Sequence, residues 1–406
     1  MNACFIRCME SMKHFTFCTL LFISFSGHSQ QWEQVEVFQG NHRDDGTVFK
    51  IGDKAYCGLG MNSWFGCNND FFVFDISAES WSQGIGMPAG EERQYANGFS
   101  HSGKGYVFGG INPAGDYLND LWMFDPQTGI WSAKASLPTP GRAGAVCFII
   151  GDTAYIAGGK TAVDIASKEL WALDLLSGTW SQKGNLPFNG IWRGVGLSWN
   201  GSGVIGLGKN NSSGLNDFFY RYNPGQDAWE LLNGITVEGA SYTASAQIGS
   251  MAYLYGGMNA AGEYLNTFYK LDLVTSAWTV LNSFPAAPRR GAMAFTGDNA
   301  FYLTTGVSAV SRLDETWRAA SVLSLNDNEQ QESEVRVFPN PSHGTLKVSA
   351  TAIIRKISIS DIQGKIISSL DCNVQELSFD PGLARGLYLF EIYTDSGISV
   401  IRHMVE

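Results

Sequence analysis

Five arginines recur along the chain at nearly regular intervals and are its first candidates for binding chemistry. They are Arg43, Arg93, Arg142, Arg193 and Arg290. Each precedes a short run typical of a β-strand, so strands packed side by side would bring the five guanidinium groups to one opening. A guanidinium donates hydrogen bonds in pairs, which suits carboxylates and sulfates. The alternative is structural, with each arginine binding the carbonyl groups of a neighbouring loop.

Aromatic residues stand beside these arginines or in the place of one. They are Tyr95, Trp192 and Tyr242. Aromatic faces next to polar donors are typical of carbohydrate sites, and these three with the arginines suggest a shallow site for a glycan or an anionic saccharide. Trp64 and Phe65 lie in another loop and could also be exposed. The alternative is that the aromatics only pack between structural elements.

Signals for catalysis are weaker. His42 precedes the first arginine, whereas His101 follows Arg93 by eight residues, which is roughly 26 Å along an extended strand. We therefore expect the two histidines at opposite ends of the fold, where they cannot share a metal. The loop carboxylates Glu91, Glu92 and Glu238 could reach the opening, although solvated carboxylates are the alternative. The sequence has no GxSxG, P-loop or HExxH motif, and we expect no metal, cofactor or catalytic residue.

A repeat of about fifty residues organises the elements that must position these side chains. A β-run ends in glycines, a polar loop follows, and a second β-run leads through a tight turn at Asp or Asn to a tryptophan. The glycine pairs are Gly109-Gly110, Gly158-Gly159 and Gly256-Gly257, and the tryptophans are Trp32, Trp81, Trp131, Trp180, Trp229 and Trp278. We assign structural roles to all of them, with each tryptophan packing between neighbouring repeats.

The last repeat is incomplete, because residues Ala300 to Trp317 lack a final tryptophan strand. The strand at Trp32 supplies a tryptophan without the rest of a repeat. We therefore expect six blades in a closed ring, with the N-terminal strand completing the sheet that contains Trp317. Closure would remove the open edges of a linear array.

With these motifs, residues 30–320 resemble a kelch-repeat β-propeller. The glycine pair is loosened to Gly58-Leu59-Gly60 and Gly206-Leu207-Gly208 in two blades, and the last blade has only Thr305-Gly306. Kelch propellers often bind partners at the mouth of the central channel, so the resemblance makes the arginines and their aromatic neighbours the leading ligand site. The six blades also resemble the bacterial sialic-acid mutarotase, which would need an acid and a base near an arginine.

The chain ends carry signals for export. Residues 1–29 have basic Arg7 and Lys13, a short apolar run and small residues at the end, which is typical of a signal peptide. Glu10 is an unusual acidic residue in a basic leader, and translation from Met12 rather than Met1 would exclude it. The net charge is −11 and Lys and Arg form no dense run, which argues against nucleic acid or an anionic membrane as partner. No later segment is long and apolar enough to span a bilayer.

Four cysteines remain after the leader, namely Cys57, Cys67, Cys147 and Cys372. In an oxidising compartment an even number favours pairing, and Cys57 and Cys67 flank one loop. The alternative is that all four are small buried hydrophobic side chains.

Residues 321–334 are polar and acidic and are interpreted as a flexible linker. Residues 335–406 change to short alternating runs, which predict a small antiparallel Ig-like β-sandwich. This segment resembles a type A C-terminal sorting domain of the type IX secretion system. The matching residues are Pro339, Asn340, Pro341, Gly344, Asp361, Gly364, Gly386, Tyr388 and Arg402. The resemblance implies recognition by that secretion machinery, passage across the outer membrane, and release or surface attachment of the propeller.

Two functions follow as expectations. The first is an exported, non-catalytic propeller that binds a glycan or a protein at its channel mouth. The second is a carbohydrate-active enzyme of the sialic-acid mutarotase type. A carboxylate within about 4 Å of one of the arginines, with a raised pKa, would favour the enzyme.

Overall fold

The computed structural model describes residues 32–232, 238–297, 299–320, 335–340, 342, 344–361, 365–395 and 397–405. The chain divides into two compact units, Met1–Ser324 and Leu325–Glu406. The expected signal peptide and linker, together with Pro341 and Gly364, lie outside the described residues. No helix among the described residues has the length and apolar character of a membrane crossing.

The first unit is built from four-stranded antiparallel sheets, which we number as blades 1 to 6 along the chain. In blades 1 to 5 the strands run from the innermost to the outermost in chain order, whereas the outermost strand of blade 6 comes from the N-terminus. The strands are Thr47–Ile51, Lys54–Gly58, Phe71–Asp75 and Ser80–Gln83 in blade 1; Asn97–His101, Lys104–Ile111, Tyr117–Asp125 and Ile130–Lys134 in blade 2; Val146–Ile150, Thr153–Ala157, Leu170–Asp174 and Trp180–Lys183 in blade 3; Val195–Trp199, Ser202–Gly206, Phe219–Asn223 and Ala228–Leu231 in blade 4; Ala244–Ile248, Met251–Tyr255, Phe268–Asp272 and Trp278–Val280 in blade 5; and Met293–Thr296, Ala300–Thr304, Glu315–Ala320 and Trp32–Val37 in blade 6.

Blade 6 is closed by the N-terminal strand. Trp32–Val37 pairs antiparallel with Glu315–Ala320, with Gln34 opposite Trp317. The Phe38 amide continues the ladder by donating to the Asp314 carbonyl at 2.6 Å. The expected closure is thus confirmed, and it joins the two ends of the propeller by backbone hydrogen bonds.

The core lies between blades, and the repeated tryptophans pack across these junctions. Each contacts aromatics of the preceding blade: Trp131 meets Phe49 of blade 1 with ring centroids 6.2 Å apart, and Trp180 meets Phe108 of blade 2 at 5.9 Å. The Trp131 and Trp180 indoles donate to the Ile85 and Ala135 carbonyls. The tryptophan repeat therefore stabilises one blade against the next, as predicted.

The glycine pairs end the second strand of each blade in a left-handed backbone conformation. Gly109 and Gly110 have φ of 62° and 105°. A Cβ on Gly110 would lie 2.7 Å from the Gln94 carbonyl oxygen, so the close approach of two loops excludes a side chain there. The first position tolerates other residues, because Leu59, Leu207 and Thr305 adopt positive φ at equivalent points.

The second unit is a β-domain of five described strands, Val335–Phe338, Leu346–Asp361, Ile366–Phe379, Gly386–Thr394 and Gly397–Val405. All five are antiparallel, as expected, and they enclose a core that includes Val348, Ile357 and Phe390. Leu346–Asp361 is one strand of 16 residues, longer than the short runs that the sequence predicts. Its partner Ile366–Phe379 was not predicted, because most of it is exposed and its alternating apolar pattern is interrupted at Gln375-Glu376. The Asn340 side chain accepts from the Met404 amide at 2.9 Å, which ties the start of the domain to its last strand.

Candidate functional site at the channel mouth

A closed circle of backbone hydrogen bonds surrounds one end of the central channel. Each blade contributes one residue, two positions before the start of its innermost strand, and its amide donates to the carbonyl of the corresponding residue in the preceding blade. The distances between nitrogen and oxygen run from 2.8 to 3.2 Å. We call these residues the mouth ring: Asp45, Tyr95, Gly144, Arg193, Tyr242 and Gly291. The ring joins all six blades without help from side chains.

Every member of the mouth ring has a left-handed backbone, with φ between 55° and 63°. Glycine adopts this conformation readily, and other residues do so at a cost of roughly 1–2 kcal/mol. Four of the six members are nevertheless not glycine. Backbone strain of this kind is concentrated at functional sites. It therefore makes the non-glycine members candidates for function, namely Asp45, Tyr95, Arg193 and Tyr242.

Four arginines lie two residues before ring members, and we call them the anchor arginines: Arg43, Arg93, Arg142 and Arg289. Each is at most 1% exposed and donates to the carbonyl of the residue 16 positions later, at 3.1 to 3.2 Å. Each also pairs with a carboxylate in the third strand or just before it, namely Asp70, Asp120, Glu169 and Glu315. Their donors are directed at the fold itself, and they leave no surface for a ligand.

The five arginines of the sequence analysis therefore do not form a single ring. Arg193 is a mouth-ring residue, and Ile191 takes the anchor position of blade 4. Arg290 lies one position after the anchor Arg289, and Ala240 takes the anchor position of blade 5. Arg43, Arg93 and Arg142 have the structural role that was the alternative, whereas Arg193 and Arg290 remain candidates for binding.

Arg193 lies at the centre of an aromatic cluster. Its guanidinium is 4.9 Å from the ring centroid of Tyr95 and 4.7 Å from that of Tyr242, and it pairs with the Asp45 carboxylate. Trp192 contacts both tyrosines edge to face, at 6.1 and 5.6 Å. Burial raises the pKa of both phenols, so at neutral pH they keep their protons and can donate hydrogen bonds.

A second group of charges joins blade 1 to blade 6. Arg290 lies 3.2 Å from an Asp45 oxygen and 3.5 Å from an Asp44 oxygen, and Arg312 donates to Asp44 at 2.5 Å. Burial, followed by the neighbouring Asp45 charge, raises the pKa of Asp44 to about 7 against the opposing effect of Arg312. A carboxylate with a raised pKa thus lies within 4 Å of a candidate arginine, as the enzyme hypothesis requires, although Asp44 is only 1% exposed.

Two lysines extend the positive charge around Trp192. The amino groups of Lys160 and Lys209 lie 5.7 and 5.6 Å from its ring centroid. Within the described part of the chain neither lysine forms an ion pair. Tyr264 joins the group through Arg290, whose guanidinium lies 5.7 Å from its ring centroid. We call the whole assembly the mouth network: Asp44, Asp45, Tyr95, Lys160, Trp192, Arg193, Lys209, Tyr242, Tyr264, Arg290 and Arg312. It contains five cationic side chains and two carboxylates.

The other candidate residues lie apart from this network. Glu91 pairs with the anchor Arg93, and Glu238 is exposed. His42 contacts Asp314 at 3.0 Å, whereas His101, at the far end of its strand, contacts Asp152. No group of three potential metal ligands occurs among the described residues. Cys57, Cys67, Cys147 and Cys372 are all free thiols.

The channel beneath the ring contains a cavity of about 440 Å³. Ala145 and Gly194, which follow ring residues, line it at one end, and Lys50 and Thr296 line it farther along the innermost strands. No mouth-network side chain belongs to its lining. The network is therefore separate from this cavity, and it combines the buried Asp44, Asp45 and Trp192 with partly exposed side chains such as Lys160 and Lys209.

Sequence reasoning missed several members of the network, namely Asp44, Asp45, Lys160, Lys209, Tyr264 and Arg312. One signal was available: counting 16 residues back from the first position of each glycine pair gives 93, 142 and 240, and the same count from Leu59, Leu207 and Thr305 gives 43, 191 and 289. That alignment separates anchor positions from ring positions. It would have placed Asp45 and Arg193 in equivalent positions.

Comparisons with known proteins agree with this architecture. Residues 45–246 match a family model described as the KLHDC2/KLHL20/DRC7 Kelch-repeats domain, and residues 239–285 match a Kelch motif. Residues 336–406 match a secretion system C-terminal sorting domain. A solved structure described as the structure of YjhT aligns with a TM-score of 0.59 at 18% identity, covering 70% of this chain and 96% of that one.

Curated relatives match over shorter stretches. N-acetylneuraminate epimerase of Haemophilus influenzae (strain PittEE) is 31% identical over 148 residues, which is 34% of this chain and 36% of the relative. The enzyme of that name from Yersinia enterocolitica is 34% identical over 116 residues, 27% of this chain and 28% of the relative. Kelch domain-containing protein 3 of Bos taurus is 31% identical over 123 residues, 27% of this chain and 32% of the relative. The chain thus spans about a third of the length of these relatives.

Proposed function

We propose that this chain binds an acidic saccharide at the mouth network. The chain is a kelch-repeat β-propeller protein, and its C-terminal sorting domain directs it through the type IX secretion system to the cell surface or the medium. The observation that carries the proposal is the excess of cations around aromatic faces. The network has five cationic side chains and two carboxylates, on a chain whose net charge is −11.

The chemistry of the network suits a carboxylated sugar. Lys160 and Lys209 are partly exposed and lack carboxylate partners among the described residues, so they are available to a ligand anion. Tyr95 and Tyr242, which are partly exposed and backed by the buried Trp192, supply apolar faces for the C–H surface of a sugar ring, and their phenols supply donors. The relatives named N-acetylneuraminate epimerase make N-acetylneuraminic acid the natural first probe.

Calorimetric titration of the secreted protein tests this proposal. We expect N-acetylneuraminic acid to bind and its uncharged methyl ester to bind at least tenfold more weakly. The double variant Lys160→Gln/Lys209→Gln should lose roughly tenfold in affinity, at about 1 kcal/mol or less per lysine. Lys134→Gln, on the outermost strand of blade 2, is the matched control and should bind like the wild type. Equal binding of acid and ester, or no heat with any acidic sugar, contradicts the proposal.

A second function, a sugar mutarotase, is favoured by Asp44. Mutarotation opens and recloses the sugar ring, which moves a proton from the anomeric hydroxyl to the ring oxygen, and a carboxylic acid with a pKa of about 7 can exchange protons at neutral pH. Binding is better supported, because Asp44 is 1% exposed and arginines contact both of its oxygens.

Exchange between the anomers of N-acetylneuraminic acid, followed by nuclear magnetic resonance, separates these two functions. A mutarotase accelerates the exchange, and Asp44→Asn abolishes the acceleration. A binding protein leaves the exchange rate at its uncatalysed value although the sugar is bound.

We also propose the boundaries of the mature protein. The leader comprises residues 1–29, the propeller 30–320, the linker 321–334 and the sorting domain 335–406. Mass spectrometry of the secreted protein should find a species that begins near Gln30 and ends between residues 321 and 335. A secreted species that retains residues 336–406 would contradict removal of the sorting domain.

A further inference from the structure

A tight turn in blade 1 holds two exposed aromatic side chains near the mouth network. The Asn62 side-chain oxygen accepts from the Trp64 and Gly66 amides, each at 3.0 Å, and the Asn62 amide donates to the Gly66 carbonyl at 2.9 Å. The Phe65 amide closes the turn by donating to the Asn62 carbonyl. Trp64 is nevertheless 78% exposed and Phe65 74% exposed. The backbone of this turn is fixed, while its two largest side chains face solvent.

The same turn recurs in three other blades without aromatics. In each, an asparagine side chain accepts from the amide four residues later, and its own amide donates to the carbonyl of that residue. The asparagines are Asn112, Asn210 and Asn259. The two tip residues that correspond to Trp64 and Phe65 are Ala114-Gly115, Ser212-Ser213 and Ala261-Gly262. The turn therefore folds without aromatic side chains, and those of blade 1 need another explanation.

The position of Phe65 is also unfavourable for such a residue. Its φ is 62°, and the equivalent positions carry Gly115, Gly262 and Ser213, all with positive φ. A bulky residue in this conformation costs roughly 1–2 kcal/mol that glycine avoids. Large exposed aromatics that oppose the local conformation indicate a binding role.

The turn is joined to the mouth network by backbone and by side chains. Met61–Asn62 pairs with Arg43–Asp44, so the turn begins beside the segment that carries the network's carboxylates. Arg312, which donates to Asp44, also lies 4.9 Å from the ring centroid of Phe65. Arg290 contacts both Asp44 and Tyr242 and thereby continues the connection to the ring tyrosines.

From this continuity we infer that Trp64 and Phe65 form a second saccharide subsite, which takes the neutral sugar next to an acidic sugar held by the mouth network. This inference rests on the proposed function and extends it from a single acidic sugar to an acidic oligosaccharide. One face of Phe65 packs on Arg312, and the indole of Trp64 offers the larger free surface. Aromatic faces take the C–H side of a pyranose, so a neutral sugar suits this subsite.

Titration of the secreted protein with N-acetylneuraminic acid and with sialyllactose tests the subsite. We expect the trisaccharide to bind about tenfold more tightly than the monosaccharide, the gain of one aromatic stacking contact. The variant Trp64→Ala/Phe65→Gly copies the blade 5 turn, so it should fold with an unchanged or higher unfolding midpoint. It should bind the monosaccharide like the wild type and lose the tenfold preference. Val310→Ala, which removes another exposed apolar side chain from a loop of blade 6, is the matched control and should retain the preference.

The outcomes distinguish the subsite from the function on which it rests. Equal affinity for both sugars in the wild type, or a preference that persists in Trp64→Ala/Phe65→Gly, overturns the subsite and leaves the mouth site intact. No binding of either sugar overturns both. A concentration-dependent dimer in sedimentation experiments that the double variant abolishes would assign the aromatics to a second copy of the chain and overturn the saccharide subsite.

Discussion

Replacing Arg142 by methionine tests whether the anchor arginines stabilise the fold. The Arg142 side chain is 1% exposed, and it donates to the Gly158 carbonyl at 3.1 Å, the Thr139 hydroxyl at 2.7 Å and the Glu169 carboxylate at 2.7 Å. Methionine keeps most of the apolar volume and makes none of these bonds. A ligand-binding arginine would lose affinity on this change, whereas an anchor arginine loses stability.

The expected cost follows from what the substitution leaves behind. Removing one partner of a buried ion pair costs about 3–5 kcal/mol when the other charge stays buried. Glu169 is 35% exposed and keeps its hydrogen bond from Trp171, so part of its charge can be solvated by water. The buried Gly158 carbonyl has no such access. We therefore expect the lower end of the range, about 3 kcal/mol, in the free energy of unfolding at pH 7.

The loss should depend on pH in a defined direction. Burial acts to raise the pKa of Glu169, but hydrogen bonds from Arg142 and Trp171 outweigh it and hold that pKa below its ordinary value of 4.5. A carboxylate with a lowered pKa stabilises the fold above its unfolded-state pKa, and the stabilisation is lost as the pH falls through the folded-state value. The difference between wild type and Arg142→Met should thus be largest above about pH 4.5 and should shrink in acid.

Urea unfolding of the whole secreted chain, followed by tryptophan fluorescence, measures both effects. Arg318→Met is the matched control, because Arg318 also pairs with two carboxylates but is 30% exposed, so its loss should cost about 1 kcal/mol or less. A loss for Arg142→Met below 1 kcal/mol, or one that does not change between pH 7 and pH 4, would refute the anchor role.

Three further predictions concern closure, the buried acid and the mouth ring. Deleting residues 32–37 exposes the edge of blade 6, so the chain should become protease-sensitive and aggregate on size exclusion. A chain that starts at residue 32 should resist the protease. Equal resistance of both chains would contradict closure by this strand. Burial and Asp45 raise the pKa of Asp44 to about 7, so its contribution to stability is present in acid and is lost as the pH rises towards and through 7. Asp44→Asn should remove that fall from urea midpoints measured between pH 4.5 and 8, and an unchanged pH profile would count against it. Gly291→Ala places a Cβ 2.6 Å from an Asp45 oxygen and should cost more stability than Gly52→Ala, which has a similar φ and open space; equal unfolding midpoints for the two variants would show that the ring tolerates the side chain.

The repeated features of the fold were predictable because each recurs for a physical reason that the sequence displays. A tryptophan is needed at every blade junction, so the missing copy in blade 6 pointed to Trp32 at the other end of the chain. Glycine pairs mark the strand ends because a Cβ would meet a neighbouring loop there. The second unit was harder to predict, since Ile366–Phe379 is largely exposed and its apolar alternation is interrupted at Gln375-Glu376.

The site was predicted only in part, because arginine has two roles in this fold within a few positions of each other. An anchor arginine and Arg193 look alike in the sequence, yet Arg193 lies at the ring position, two residues after the anchor position of its blade. That difference separates a fully buried side chain from one at the mouth. Arg312 and Asp44 are 268 residues apart and meet only because the ring closes. No local pattern could have placed them together.

Departures from the repeat support the proposed position of the binding site in this propeller. Features that recur for structural reasons are explained by the fold alone, such as the backbone circle of all six blades and the asparagine turns of four of them. Positions that differ between blades are under no such constraint: the mouth ring contains two glycines, an acid, an arginine and two tyrosines at a backbone conformation that favours glycine throughout. The two glycines make room for the others, because a Cβ on Gly144 would lie 2.6 Å from Arg193, as one on Gly291 would from Asp45. Around the ring one glycine follows every two larger residues, and Asp45 and Arg193 pair across the channel. This asymmetry would give a sixfold scaffold the single oriented site that we propose.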